Sequence, residues 1–130
     1  FTEKLHYMDG FEDIYPHLKT KYKLALVTST GTELVNHIEG LLSIYSRFDL
    51  VLTSADTKVH KPMPDPYLNA MNRLGFNANE CVVVEDSIQG IKAGKAAGCT
   101  VIALEGSIDR KFLSEADYII PHLHDIQNIL

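Results

Sequence analysis

The sequence predicts an α/β domain, a parallel sheet covered by helices on both faces. Two observations carry this reading. Short, β-branched apolar runs alternate with apolar stripes at helical spacing, and polar residues gather just after several of the apolar runs. In open sheets of this class, ligands sit outside the carboxyl ends of the strands, so those polar residues are the first place to look for chemistry.

The elements follow in order. Phe11, Ile14, Tyr15 and Leu18 mark a helix over residues near 11–20, with Pro16 as a source of kinking. Lys23–Val27 is a buried strand that ends in Thr28-Ser29-Thr30-Gly31-Thr32, and a helix from about Glu33 to Leu42 presents Leu34, Val35, Ile38, Leu41 and Leu42. Phe48–Leu52 is a second strand. The loop from Thr53 to Pro64 carries Lys58, His60, Lys61 and two prolines, which make it rigid and irregular. Asp65 reads as an N-cap with Pro66 at the first helical position, and that helix stops at Gly75.

Cys81–Val84 is too short and too β-branched to prefer helix, so it reads as a buried strand. Glu85 and Asp86 follow it, then Ser87 as N-cap of a helix with Ile88, Ile91, Ala93, Ala96 and Ala97 on its apolar face and Gly98 as its C-cap. Thr100–Leu104 is a strand, Gly106–Ser114 a loop with one helical turn, Asp117–Ile120 a short strand, and His122–Leu130 an amphipathic helix.

Composition bounds the function. The 130 residues make one domain with room for a core, and 45% of them are apolar, yet no apolar run reaches the ~18 residues of a membrane span. A net charge of −5 and a pI near 5.6 argue against a nucleic-acid or anionic-membrane surface. Cys81 and Cys99 form no CxxC pair and lie in or beside apolar runs, as reduced core thiols of a cytoplasmic protein would. His122 and His124 are two apart on an expected helix and lack zinc spacing. No apolar segment typical of a secretory signal occurs in Phe1–Gly10, and a first residue of Phe is what a processed or cut piece would show.

Three polar clusters fall at the ends of successive strands: Thr28-Ser29-Thr30, Lys61 in its proline-braced loop, and Glu85-Asp86. Each has a plain alternative. Thr28 or Thr30 could cap the next helix, Lys61 could be a solvated loop charge, and the acids could form a solvated turn. Together they suit a phosphoryl group beside a hard divalent cation. Thr28 and nearby N–H groups can bind phosphate oxygens, Lys61 can neutralise charge, and the carboxylates can hold Mg²⁺.

In that conjunction the chain resembles the haloacid dehalogenase superfamily, in its branch of small-molecule phosphatases and β-phosphoglucomutase-like enzymes. LALVTST (Leu24–Thr30) is similar to the family's second motif, with Thr28 as the phosphate-binding residue. HKPMPDPY (His60–Tyr67) is similar to the third, with Lys61 as its lysine, and VVVEDSIQGIKAGKAAG (Val82–Gly98) to the fourth, with Glu85 and Asp86 as metal-binding acids. The resemblance implies a Rossmann-like core, Mg²⁺ as cofactor and a small phosphorylated metabolite as substrate. It also implies substrate-side roles for Ser29, Thr30 and Thr32, and support of the metal shell or the phosphate by Ser87.

The family's first motif, an apolar strand followed by Asp-x-Asp-Gly-Thr, has no counterpart here. Asp9-Gly10 lacks the preceding strand, the first Asp and the Thr. The resemblance therefore implies a core fragment, residues 1–130, without the nucleophilic Asp and without the cap domain. The first-motif strand would lie between the strands of the second and fourth motifs, and its loss would expose edges through which the chain could self-associate. The expected activity is Mg²⁺-dependent phosphoryl transfer through an aspartyl-phosphate, with a sugar phosphomutase as one alternative and a silent binding or structural fragment as another. A receiver domain is excluded by the order of Thr, Lys and acids. A P-loop is excluded because Gly90 to Ala96 falls one residue short of its spacing and ends in Ala.

Overall fold

The computed structural model describes residues 11–28, 31, 33, 36, 47–106 and 110–130. Within them lie helices α1 (Phe11–Lys21), α2 (Asp65–Leu74) and α3 (Ile88–Ala96), and strands β1 (Ala25–Val27), β2 (Leu50–Leu52), β3 (Val82–Glu85), β4 (Thr100–Leu104) and β5 (Tyr118–Ile120). Short 3₁₀ turns at Ala78–Glu80, Arg110–Leu113 and Leu123–Asn128 complete the path. All strand pairing is parallel, as the alternation of elements predicts, but it falls into two sheets, β1-β2 and β3-β4-β5.

The registers set the layers. Val83 of β3 lies opposite Val101 of β4, and Val84 opposite Ile102. Val101 packs into a cluster with Tyr67 and Met71 of α2 and Ile91 and Ala93 of α3. Ile102 faces the other way, into a cluster with Ile14 and Leu18 of α1, Ile120 and Ile126. Because β4 is covered on both faces, its inner residues are all fully buried and its sequence is apolar without alternation.

α3 lies unusually close to the sheet. A Cβ at Gly94 would stand 2.8 Å from Cγ2 of Val101 and 3.1 Å from Cγ1 of Val83. The next residue, Lys95, reaches both carboxylate oxygens of Asp117 at 2.9 Å. The glycine–lysine run of this helix is thus a packing surface, not a phosphate loop.

Several boundaries differ from expectation for local reasons. α2 starts one residue early: Pro64 occupies the N-cap, Asp65 is the first helical residue, and no side chain closes the cap. At the end of α3, Ala97 keeps right-handed backbone and Gly98 takes the left-handed turn at φ +88°. Pro16 does not interrupt α1, which runs through it to Lys21. The C-terminal segment is a 3₁₀ turn, not an amphipathic α-helix, with Ile126 anchored in the second cluster. Glu33 and Asn36 are helical, and the rest of the helix expected over residues 33–42 lies outside the described residues. Among the described residues, no helix is long and apolar enough to cross a membrane.

Candidate active site

Lys61 stands on a loop that is tied down at several points. The Thr53 N–H donates to Oδ2 of Asp56 at 2.7 Å, closing a tight turn after β2. From α2, the Asn69 amide reaches the Asp56 carbonyl at 3.1 Å and the Thr57 hydroxyl at 3.0 Å. Pro62 and Pro64 then lead into α2, with the Met63 N–H bonded to the His60 carbonyl. The lysine side chain leaves this frame and runs inward.

Its ammonium joins the two sheets. Nζ donates to the carbonyl of Val27, the last residue of β1, at 3.1 Å and to Oε2 of Glu85, the last residue of β3, at 2.5 Å. Both side chains are largely withdrawn from solvent, with 12% of Lys61 and 9% of Glu85 exposed, so neither charge is well hydrated and each depends on the other.

The Glu85 carboxylate lies over the first turn of α3. Gly90 leaves the space: a Cβ there would stand 2.0 Å from the carboxyl carbon of Glu85. Ser87 caps the helix by accepting from the Gly90 N–H at 3.0 Å, and its hydroxyl donates to Oε1 of Glu85 at 3.4 Å. The buried Tyr67, from the first turn of α2, donates its hydroxyl to Oε2, the oxygen that Lys61 also uses. Burial, and then the Glu85 charge and its hydrogen bond, hold the Tyr67 hydroxyl well above its ordinary pKa, so it remains a donor.

Asp86 follows, exposed, and its carboxylate accepts no hydrogen bond from a described residue. Thr28, half-buried, continues the pairing of β1 through an N–H bond to the Leu52 carbonyl at 3.0 Å. A cleft of about 1380 Å³ is lined by Thr28, Lys61, Tyr67, Glu85, Asp86 and Ser87 and passes between β1 and β3. The structure thus gathers the Thr, Lys and acid clusters into one crevice at the strand ends. Ser29, Thr30 and Thr32 lie outside the described residues.

This donor set suits Mg²⁺, which takes oxygen ligands and commonly uses only one or two carboxylates alongside water and phosphate. Asp86 presents an open carboxylate, whereas Glu85 is committed to Lys61, Tyr67 and Ser87. Among the described residues, no group of three or more His, Cys, Asp or Glu side chains could hold a metal without further help. Sequence reasoning passed over Tyr67 and Gly90. Tyr67 lies within HKPMPDPY, but its partner is 18 residues away and meets it only when α2 packs on β3.

The structure thus sets a threonine at the end of β1, a lysine bridging two strand ends and an acid pair ahead of a capped helix side by side. The profile of the haloacid dehalogenase-like hydrolases matches residues 1–104, and the chain belongs to that family. It is 37% identical over 116 residues to glycerol-1-phosphate phosphohydrolase 1 of Saccharomyces cerevisiae, covering 82% of this chain and 46% of that protein. It is 35% identical to hexitol phosphatase A of Escherichia coli, covering 96% of this chain and 58% of that protein. A provisionally assigned β-phosphoglucomutase from Thermotoga maritima superposes with a TM-score of 0.83 at 31% identity, covering 92% of this chain and 57% of the other. The chain therefore spans about half the length of the curated relatives it matches.

Proposed function

We propose that this chain is the phosphate- and metal-binding part of a Mg²⁺-dependent phosphatase acting on a small phosphorylated metabolite. The observation that carries the reading is the Lys61 ammonium, fixed between Val27 and Glu85 beside the open carboxylate of Asp86. Two of its N–H bonds are taken by described residues. Among the described residues nothing takes the third, which can donate to an anionic oxygen of substrate.

In this reading Lys61 and the Thr28 hydroxyl bind and orient the phosphoryl oxygens, and Lys61 offsets charge as it builds on them. Asp86 is the main protein ligand for Mg²⁺, with Glu85 beside it. When bound, the ion neutralises phosphate charge and helps to orient the ester. Ser87 supports Glu85 from below. Family resemblance assigns the nucleophile to an Asp outside this chain, on a strand that would enter between β1 and β3, with formation of an aspartyl-phosphate. The relatives named for phosphohydrolase and phosphatase activity support hydrolysis of small esters. The Thermotoga maritima likeness supports a sugar phosphomutase as the second reading.

The test is hydrolysis of p-nitrophenyl phosphate by the complete enzyme, with and without Mg²⁺, and with Asp86→Asn. The expected result is Mg²⁺-dependent turnover that the substitution abolishes, and no turnover from residues 1–130 alone. Near-normal activity of the Asp86 variant would overturn the metal assignment. Turnover by the isolated chain would show that it holds its own nucleophile.

A further inference from the structure

Tyr67 has more to do than fill space. A buried tyrosine hydroxyl needs an acceptor, and Glu85 supplies one. Yet the oxygen it uses, Oε2, is the same one that holds Lys61, and the Lys61 ammonium also lies 5.1 Å from the centroid of the Tyr67 ring. The tyrosine therefore meets the lysine twice, through the shared carboxylate oxygen and through its ring face. Ser87 reaches only the other oxygen, Oε1, at the long distance of 3.4 Å. With the tyrosine hydroxyl removed, Oε2 keeps Lys61 as its sole described donor, and the carboxylate is fixed only by Lys61 and the long Ser87 contact.

We infer that Tyr67 is a positioning residue: it fixes the Glu85 carboxylate, and through it sets the direction of the Lys61 ammonium towards the substrate oxygens. This rests on the proposed phosphoryl-transfer role of Lys61. The hydroxyl does not touch substrate. It removes freedom from a long side chain that would otherwise sample several rotamers, which is what a charge aimed at a transition state requires.

The experiment is Tyr67→Phe in the complete enzyme, since Phe keeps the ring and its packing. The direct readout is proton exchange at the Lys61 ammonium, followed by ¹⁵N–¹H NMR of the lysine side chain and assigned by its loss in Lys61→Arg. Exchange should quicken about three- to tenfold, the factor that one net hydrogen bond supports. With p-nitrophenyl phosphate at saturating Mg²⁺, kcat should fall about tenfold with KM within about twofold, because the lost alignment matters most in the transition state. Unchanged Lys61 exchange overturns the inference whatever happens to turnover. Quickened exchange in an enzyme that hydrolyses no phosphate ester keeps the positioning role and overturns the phosphatase reading. Should Tyr67→Phe lose cooperative unfolding, Glu85→Gln takes its place, and an unchanged Lys61 exchange rate in that variant overturns the inference.

Discussion

Glu85 owes its position to a hydrogen atom. With 2.0 Å between a hypothetical Cβ at position 90 and the Glu85 carboxyl carbon, Gly90→Ala cannot coexist with the observed carboxylate. The group that yields is the flexible end of Glu85, not the helix, and Ala in a helix interior offsets part of any loss by roughly 0.5–1 kcal/mol. We expect Gly90→Ala to lower the melting temperature, because displacing Glu85 leaves the buried Lys61 ammonium without its partner, and kcat in the complete enzyme to fall at least about tenfold, the scale of a lost bond to a charged group. Normal kcat would show that Glu85 works from a second position. Cys99 makes the opposite case. It is 3% exposed against Met71, and burial pushes its thiol pKa up, so it is inert. Cys99→Ala should cost about 1 kcal/mol in denaturant melts and leave turnover unchanged.

At the scale of elements, much of the architecture was legible because the signals are local. Asp65-Pro66 at the head of α2, Gly75 at its foot, Ser87 ahead of α3 and the run from Thr100 to Leu104 each fix a boundary to within a residue or so. The C-terminal segment misled for the same reason. Its apolar spacing suits an α-helix, but Ile126 is held in a cluster with Ile14 and Ile102, and tertiary packing decides the winding of so short a piece. Cross-element ties carry no local signal either. Asp117 accepts from the Val101 N–H at 2.8 Å and pairs with Lys95 of α3, so it clamps the start of β4 to the helix and to the loop before β5. That backbone bond, and then Lys95, hold its pKa below the usual 3.8. The folded state therefore binds the Asp117 proton more weakly than the unfolded chain does. The stability it contributes is complete above the unfolded pKa and is lost as pH falls through the lower folded value. Asp117→Asn should flatten the acid limb of a stability–pH curve below about pH 4 and lower the plateau above it. An unchanged acid limb would show that other carboxylates set it.

At the scale of the whole molecule, the feature that needs explaining is a sheet in two parts. β1 pairs with β2 and β3 with β4, so among the described residues each has one strand edge without a strand partner, and both line the cleft. The same cleft exposes apolar surface: Tyr22 at 40%, Phe76 at 37%, Val82 at 40% and Val84 at 39%. Unpaired parallel edges beside exposed β-branched residues are the conditions under which strands recruit other strands. They also explain why Lys61 matters structurally, since its bonds to Val27 and Glu85 hold the carboxyl ends of the two sheets together. Residues 1–130 alone should therefore associate in solution, with a weight-average mass in sedimentation velocity that rises with concentration. Val82→Lys, which charges the exposed face of β3 away from the carboxylates, should reduce that association without changing the unfolding midpoint much, because Val82 is already partly in water. The complete enzyme should be indifferent to concentration over the same range if an additional strand occupies the cleft, and Val82→Lys should then destabilise it by burying a charge. A chain that stays monomeric at every concentration would mean that its strand edges are covered from within residues 1–130.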